Sequence, residues 1–284
     1  MKILFSLIIS AFLALNANAE SLSKKISNLI DNFIPGEGIT DVSIQVHEED
    51  NPDFEILTNR SLDLTDVSNR FIQMSLHTQE TNDTDRLITN LGYGYRQLSD
   101  DQSFMYGANV FIDYEFEGHA RASVGLEASG QLLDLSANFY EALSGAEAVD
   151  GVDEEVLSGY QLNLSTQIPY MPWSVVNIQK YNFDSVKATN DTEGNKVSLE
   201  MNLTPALQFD ISQDFSDTSG VDDETDFKLS FRHPPLENKP SLQDGFVSNT
   251  AFEKGNMKEK LVQKVRRDNN LTVEIQGAVI LTKK

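Results

Sequence analysis

Tyr106-Gly-Ala-Asn-Val-Phe-Ile-Asp-Tyr114 and Arg121-Ala-Ser-Val-Gly-Leu-Glu-Ala128 decide the fold class. In the first stretch Tyr106, Ala108, Val110, Ile112 and Tyr114 share one parity, and Gly107, Asn109, Phe111 and Asp113 the other. In the second, Ala122, Val124, Leu126 and Ala128 alternate with Arg121, Ser123, Gly125 and Glu127. A period of two puts the two sets on opposite faces of a strand. The residues between, with Gly118 among them, suit a turn. Together they predict a hairpin with one apolar face and one charged face.

The same alternation recurs on both sides. It is read at Ile72–His77, Leu87–Arg96, Leu133–Tyr140, Gln161–Ile168, Val197–Leu203, Leu207–Ile211 and Phe227–Phe231, and less sharply at Asp41–His47, Phe54–Asn59 and Trp173–Tyr181. About twelve strands of roughly 9–11 residues, apolar outward and polar inward, fit a transmembrane β-barrel. A soluble β-sandwich alternates too, but here nearly every polar face carries charge: Arg96, Asp113, Arg121, Glu127, Asp134, Glu200, Asp210, Lys228 and Arg232. The links also alternate in length. Gln131-Leu132, Pro169–Pro172 and Thr204-Pro205 are tight, whereas Gly145–Glu155, Asp184–Asn195 and Asp214–Thr225 are long and acidic. Outer-membrane barrels alternate short periplasmic turns with long external loops. The expected fold is therefore all-β, a twelve-stranded antiparallel transmembrane barrel over residues 41–233.

Asn109, Asp113, Arg121, Glu127, Asp134, Asn138 and Arg232 are expected to line its lumen. Tyr93, Tyr95, Tyr106, Tyr114, Tyr170, Trp173 and Tyr181 are candidates for interfacial girdles. An arginine at Leu126 is expected to block assembly, and one at Ser123, on the other face, to be tolerated.

The two ends read differently. Lys2, the apolar run Ile3–Leu15 and Ala17-Asn18-Ala19 form a secretory signal, with cleavage expected after Ala19. Residues 20–40 form a short periplasmic segment with Leu22, Ile26, Leu29, Ile30 and Phe33 on one helical face. After His233-Pro234-Pro235, residues 234–284 form a linker: a basic helix over Asn249–Asp268, then an extended run from Leu271 to Thr282. The 284-residue chain carries a formal charge of −22. From Ala251 onward eight basic residues face four acidic ones, a net +4; removing that and Lys2 leaves −27 over residues 20–250. An acidic barrel followed by a basic tail suggests a tail held in the lumen. Lys264, Arg266, Arg267, Asn269, Asn270 and Glu274 are the candidate plug residues.

Several stretches resemble the β-domain of inverse autotransporters, the intimin and invasin family. They are Tyr106–Arg121, Ser123–Glu127, Leu135–Tyr140 with Leu143-Ser-Gly145, the turn Asn202-Leu-Thr-Pro205, and Leu261–Glu274. The resemblance implies a twelve-stranded barrel, a helix at its periplasmic end, and a linker extended through the lumen to the surface. In the family that linker continues into adhesive domains; here the sequence ends at Lys284, so a barrel without a passenger is expected. The expected role is a translocator for surface display, with a small-solute pore or a structural barrel as the alternative.

Composition narrows the rest. The excess of acid argues against nucleic-acid binding, which needs clustered Lys and Arg. No cysteine is available for a thiolate or a zinc–thiolate site. No cofactor motif and no nucleophile–base pattern stands out. His47 and His77 are expected on the lumen side and His119 near an external turn. Asp150–Glu155 and Asp214–Asp226 match no EF-hand and read as solvated loops. No enzyme, metal or cofactor is expected. The expected partners are outer-membrane lipid and lipopolysaccharide, the barrel-assembly machinery and periplasmic chaperones; no surface receptor can be named.

Overall fold

The computed structural model describes residues 36–48, 51–82, 84–275 and 278–280, and the helical positions Ser21, Lys24, Lys25, Ser27 and Asn28. The expected signal with its cleavage site after Ala19, and the face Leu22, Ile26, Leu29, Ile30 and Phe33, lie outside the described residues.

Twelve antiparallel strands close a barrel. In chain order they are β1 (Gly38–His47), β2 (Asp53–Leu64), β3 (Ser68–Thr81), β4 (Thr84–Leu98), β5 (Met105–Glu115), β6 (Ala120–Ser129) and β7 (Leu133–Ala142), then β10 (Gly159–Ile168), β11 (Met171–Phe183), β12 (Thr192–Thr204), β13 (Leu207–Ser216) and β14 (Glu224–His233). Between β7 and β10 stands a small hairpin, β8 (Glu147–Val149) and β9 (Val152–Val156). The first strand pairs with the last along Thr40↔His233 to His47↔Asp226, so no barrel edge is left unpaired.

The alternation sets which side chains meet lipid. Tyr106, Val110, Ile112 and Tyr114 of β5 and Val124 and Leu126 of β6 are exposed on the outer wall, while Asn109, Asp113, Arg121 and Glu127 are buried inside. The connections sort by end. The five at one end, 65–67, 99–104, 130–132, 169–170 and 205–206, are short, and this is the turn end. The opposite, loop end carries the long links 143–158, 184–191 and 217–223, but also the two-residue link from β3 to β4 and 116–119, so length alternates with end only from β7 onward.

Three expectations change. Trp173 and Tyr181 face inward and are not girdle residues: the Trp173 indole donates to Phe246 O at 3.0 Å, and the Tyr181 hydroxyl to Asp214 at 2.9 Å. Both share the odd parity of the buried Asn177 and Gln179, so the alternation of β11 itself turns them to the lumen. Ser123 is inward, as expected, but its hydroxyl lies 3.3 Å from the Arg267 guanidinium, so an arginine there meets a like charge. Finally, the helix expected over Asn249–Asp268 contracts to one turn, α1 (Met257–Lys260). Beyond it, backbone groups that a helix would pair internally are taken by side chains of the barrel wall.

Candidate functional site: the occupied lumen

From His233 the chain crosses the turn end. Leu236 N bonds Pro205 O, Ser248 N bonds Tyr170 O, and Tyr170 N bonds Ala251 O, at 2.9, 2.8 and 2.7 Å. The helix α1 is capped by Asn256, whose side chain accepts from Lys258 N. Its Met257 packs with Leu261, Leu98 and Met105 in an apolar cluster. Lys258 pairs with Asp66 at 2.7 Å and Lys260 with Asp134 at 2.6 Å. Asp134 thus sits on the rim of the mouth.

The chain then ascends the lumen extended, held through its backbone. Asn69 donates to Leu261 O at 2.8 Å and Asn59 to Gln263 O at 2.7 Å. Val265 N donates to Gln73 at 2.8 Å, and Asn138 donates to Arg266 O at 3.0 Å. Asp268 N donates to the Tyr140 hydroxyl at 2.8 Å, and Arg121 donates to Asp268 O at 3.0 Å. Asn90 donates to Asn269 O at 3.0 Å. At the top Gln79 grips Leu271 twice, accepting from N and donating to O, both at 2.9 Å. An extended strand inside a barrel has no neighbouring strand, and a buried unpaired amide is costly, so the inward Asn and Gln substitute for one.

Charge and aromatic platforms complete the fit. Asp113 is shared by Arg121 at 2.9 Å, Arg267 at 2.6 Å and the Asn90 amide at 2.7 Å. The Arg267 guanidinium stands 4.3 Å over the Phe111 ring, and that of Arg121 4.2 Å over Tyr140. Val265 wedges between Phe71 and Phe111. Both rings lie on glycines: a Cβ on Gly94 would meet Phe71 at 2.2 Å, and one on Gly92 would meet Phe111 at 2.2 Å. Arg266 pairs with Glu200, and Lys264 reaches Asp41, which binds Arg232 at 2.8 Å. Arg96 pairs with Glu127 at 2.8 Å. Asn269 donates to Glu55 at 2.9 Å, and Asn270 N to Asp268 at 3.1 Å. Asn109 faces the lumen next to Gly125, and its side-chain amide has no hydrogen-bond partner among the described residues.

At the loop end β15 (Val273–Ile275) leaves the lumen and adds to β9, with β16 (Ala278–Ile280) beyond it, in the order β16-β15-β9-β8. Leu271, Val273 and Ile275 bury against Val156 and Ile88. The Glu274 carboxylate accepts three successive backbone N–H groups, from Val186, Lys187 and Ala188, at 2.9, 2.8 and 3.1 Å. Glu274 therefore sits apart from the other plug candidates, as a clasp on the loop end.

The linker follows the β2–β7 side. Beside it a cavity of about 640 Å³ remains, lined by Glu200, Asp210, Lys228, Lys196, Lys264 and Lys239 among others and reaching β2, β7 and β10 as well as β11–β14 and β1. Lys239 is half-buried at the turn end; burial and then nearby Arg232 push its ammonium down to about 8. Among the described residues no serine is hydrogen-bonded to a histidine: His119 bonds Glu115, and His47 bonds Asp53 and Asp226. Gln73, Gln79, Asn59, Asn69 and Tyr140 were not singled out from sequence, although their inward parity was legible.

An apolar outer wall, a charged lumen and a threaded C-terminal strand define the class, an outer-membrane β-barrel. The family model of the inverse autotransporter β-domain matches residues 14–269, and the chain belongs to that family. It is 26% identical over 223 residues to a putative attaching and effacing protein homolog of Escherichia coli (strain K12), covering 69% of this chain and 74% of that one. It is 34% identical over 106 residues to an invasin of Yersinia enterocolitica, covering 36% of this chain and only 12% of the invasin. Among solved structures, a chain from "Unveiling the Mechanism Behind the in-meso Crystallization of Membrane Proteins" superposes with TM-score 0.68 at 17% identity, covering 84% of this chain and all of that one. An outer membrane channel from Pseudomonas putida F1 superposes with TM-score 0.51 at 12% identity, over 70% of this chain and 96% of that one. These two likenesses concern the fold.

Proposed function

We propose that the barrel holds its C-terminal segment across the outer membrane and displays it at the loop end, which faces outward. The observation that carries this reading is the chain of backbone hydrogen bonds from Asn69–Leu261 to Gln79–Leu271. A plug made only of side chains would not need an extended backbone in register with the wall. The attaching-and-effacing and invasin names of the relatives support display of the adhesin type. In this reading residues 1–19 are removed on export, and residues 20–40, 41–233 and 234–284 act as periplasmic segment, barrel and linker. Lipopolysaccharide, periplasmic chaperones and the assembly machinery are its partners during insertion. A peptide tag placed after Lys284 is expected to bind antibody on intact cells. Tag access only after the outer membrane is permeabilised overturns the display reading.

The cavity beside the linker favours a second reading, a small-solute pore. Full-length protein and a chain lacking residues 249–284 are compared by single-channel conductance. Display with a held linker expects the truncated barrel to conduct far more; equal conductance moves the pore reading to first place.

A further inference from the structure

We infer that the loop end of the barrel contains a binding site for a divalent transition ion of the Zn²⁺ class, formed by His47, Glu224 and Asp226. The three belong to the seam where the barrel closes. His47 ends β1, Glu224 and Asp226 begin β14, and His47 pairs directly with Asp226 in the register. Their ligand atoms lie within 4.8 Å of one another. His47 Nδ1 stands 2.8 Å from Asp226 Oδ1 and 3.3 Å from Glu224 Oε1.

The other ring nitrogen decides what Nδ1 presents. His47 Nε2 lies 3.0 Å from Asp53 Oδ2, and an ionised carboxylate only accepts, so Nε2 carries the hydrogen. In a neutral imidazole Nδ1 then offers a lone pair to two carboxylate oxygens. Three acceptors converging on one point require a cation between them, either a proton on Nδ1 or a metal ion. The set suits the metal. Donor atoms around a tetrahedral ion with bonds of about 2.0–2.1 Å stand about 3.3 Å apart; Nδ1 and Glu224 Oε1 already stand at that spacing, and Nδ1 and Asp226 Oδ1, now 2.8 Å apart, open by about half an ångström to admit the ion. Asp53 occupies the outer position that orients a metal-bound histidine and raises its basicity. Asp226 binds Lys196 at 2.5 Å and Ser212 at 3.1 Å through Oδ2, leaving Oδ1 for the ion. With neutral His47, three carboxylates against Lys196 leave a net charge of −2 that a divalent ion cancels. An imidazole donor argues against Ca²⁺ and Mg²⁺, which take oxygen. Asp53 and Lys196 also line the luminal cavity, so an ion has a path to the site. Bound there, it staples the first strand to the last.

The test uses the full-length barrel, stripped with chelator and titrated with Zn²⁺ by calorimetry, folding being checked by heat-modifiable gel mobility. One ion per chain is expected, with a higher thermal midpoint. Glu224→Gln should weaken binding at least tenfold, and Asp53→Asn by about 10–100-fold, as loss of an outer-shell carboxylate does elsewhere. Co²⁺ added to the unaltered chain should give the absorption of a four- or five-coordinate ion, which needs no substitution. No saturable Zn²⁺ binding, binding unchanged in both variants, or Co²⁺ retaining the spectrum of the hexaaquo ion would each show that the cation is only a proton, and the site falls.

Discussion

Asp113 shows how much a single luminal residue holds. It sits between Arg121 and Arg267, with no measurable exposure, and accepts from Asn90 as well. Breaking a buried pair by removing one partner costs about 3–5 kcal/mol, because the other charge is left uncompensated. Asp113→Asn is therefore expected to lower the thermal midpoint of the folded barrel, and Asp113→Asn in a chain lacking residues 249–284 to lower it less, since Arg267 is then gone. Equal losses in the two backgrounds would mean that Arg267 is not held by this carboxylate. On the outer wall the logic reverses. Leu126 is 53% exposed there, and an arginine at the bilayer midplane costs roughly 2–4 kcal/mol. Leu126→Arg should deplete folded barrel in fractionated membranes. Ser123→Arg should do so too, against the simplest reading of the alternation, because Arg267 already occupies that point of the lumen.

Among the elements, the long link after β7 differs most from a solvated acidic loop. It folds into β8 and β9 and receives β15 as a neighbour. Protease added to whole cells is accordingly expected to cut first in 217–223, where Ser219, Gly220, Asp222 and Asp223 are exposed, and to spare β9 until the linker is deleted. Early cutting within Val152–Val156 of the full-length chain would contradict the docking of β15. At the turn end, Lys239 gives the mouth a pH dependence. Its folded value, about 8, lies below the ordinary lysine value, so folding favours the neutral form. The stability lost by holding its charge is present in full below about pH 8 and is recovered as the pH rises toward the ordinary lysine range. The thermal midpoint should gain an increment between pH 8 and pH 10 that Lys239→Met abolishes.

The whole molecule is asymmetric in cross-section. The linker is fastened to β2–β7, and the lumen left beside it, bounded by β10–β14 and β1 and touching β2 and β7, is lined by both signs of charge. Glu200 and Arg266 form a strut between the two halves. Glu200→Gln loosens that strut without touching the Asn and Gln that hold the linker backbone. It is expected to raise the residual conductance of the full-length barrel while leaving surface display of a C-terminal tag intact. Loss of display together with increased conductance would mean that the charges, and not the backbone bonds, keep the linker in place.

Parity along the chain determined the strands and their two faces, and the charge on the inner face together with the link lengths separated barrel from sandwich. A one-residue slip would turn every apolar side chain to the lumen, so the pattern leaves one solution for Tyr106–Glu127. It also put Asp113, Arg121, Glu127 and Asn138 on the inward face, while the contrast of charge suggested the basic tail as the occupant of the lumen. What parity carries no record of is which residues meet across the lumen. Gln79 and Leu271 lie 192 positions apart, and their double hydrogen bond exists only because closing the barrel brings β3 opposite the linker. The same holds for His47 and Asp226, 179 positions apart, which become neighbours when β14 pairs with β1. The basic run also reads as a helix by local composition, yet α1 is four residues long. Local propensity is worth less than about 1 kcal/mol per residue, whereas each luminal amide left without its partner costs about 1–3 kcal/mol. The tertiary structure, by supplying those partners on the wall, decided that the linker runs extended.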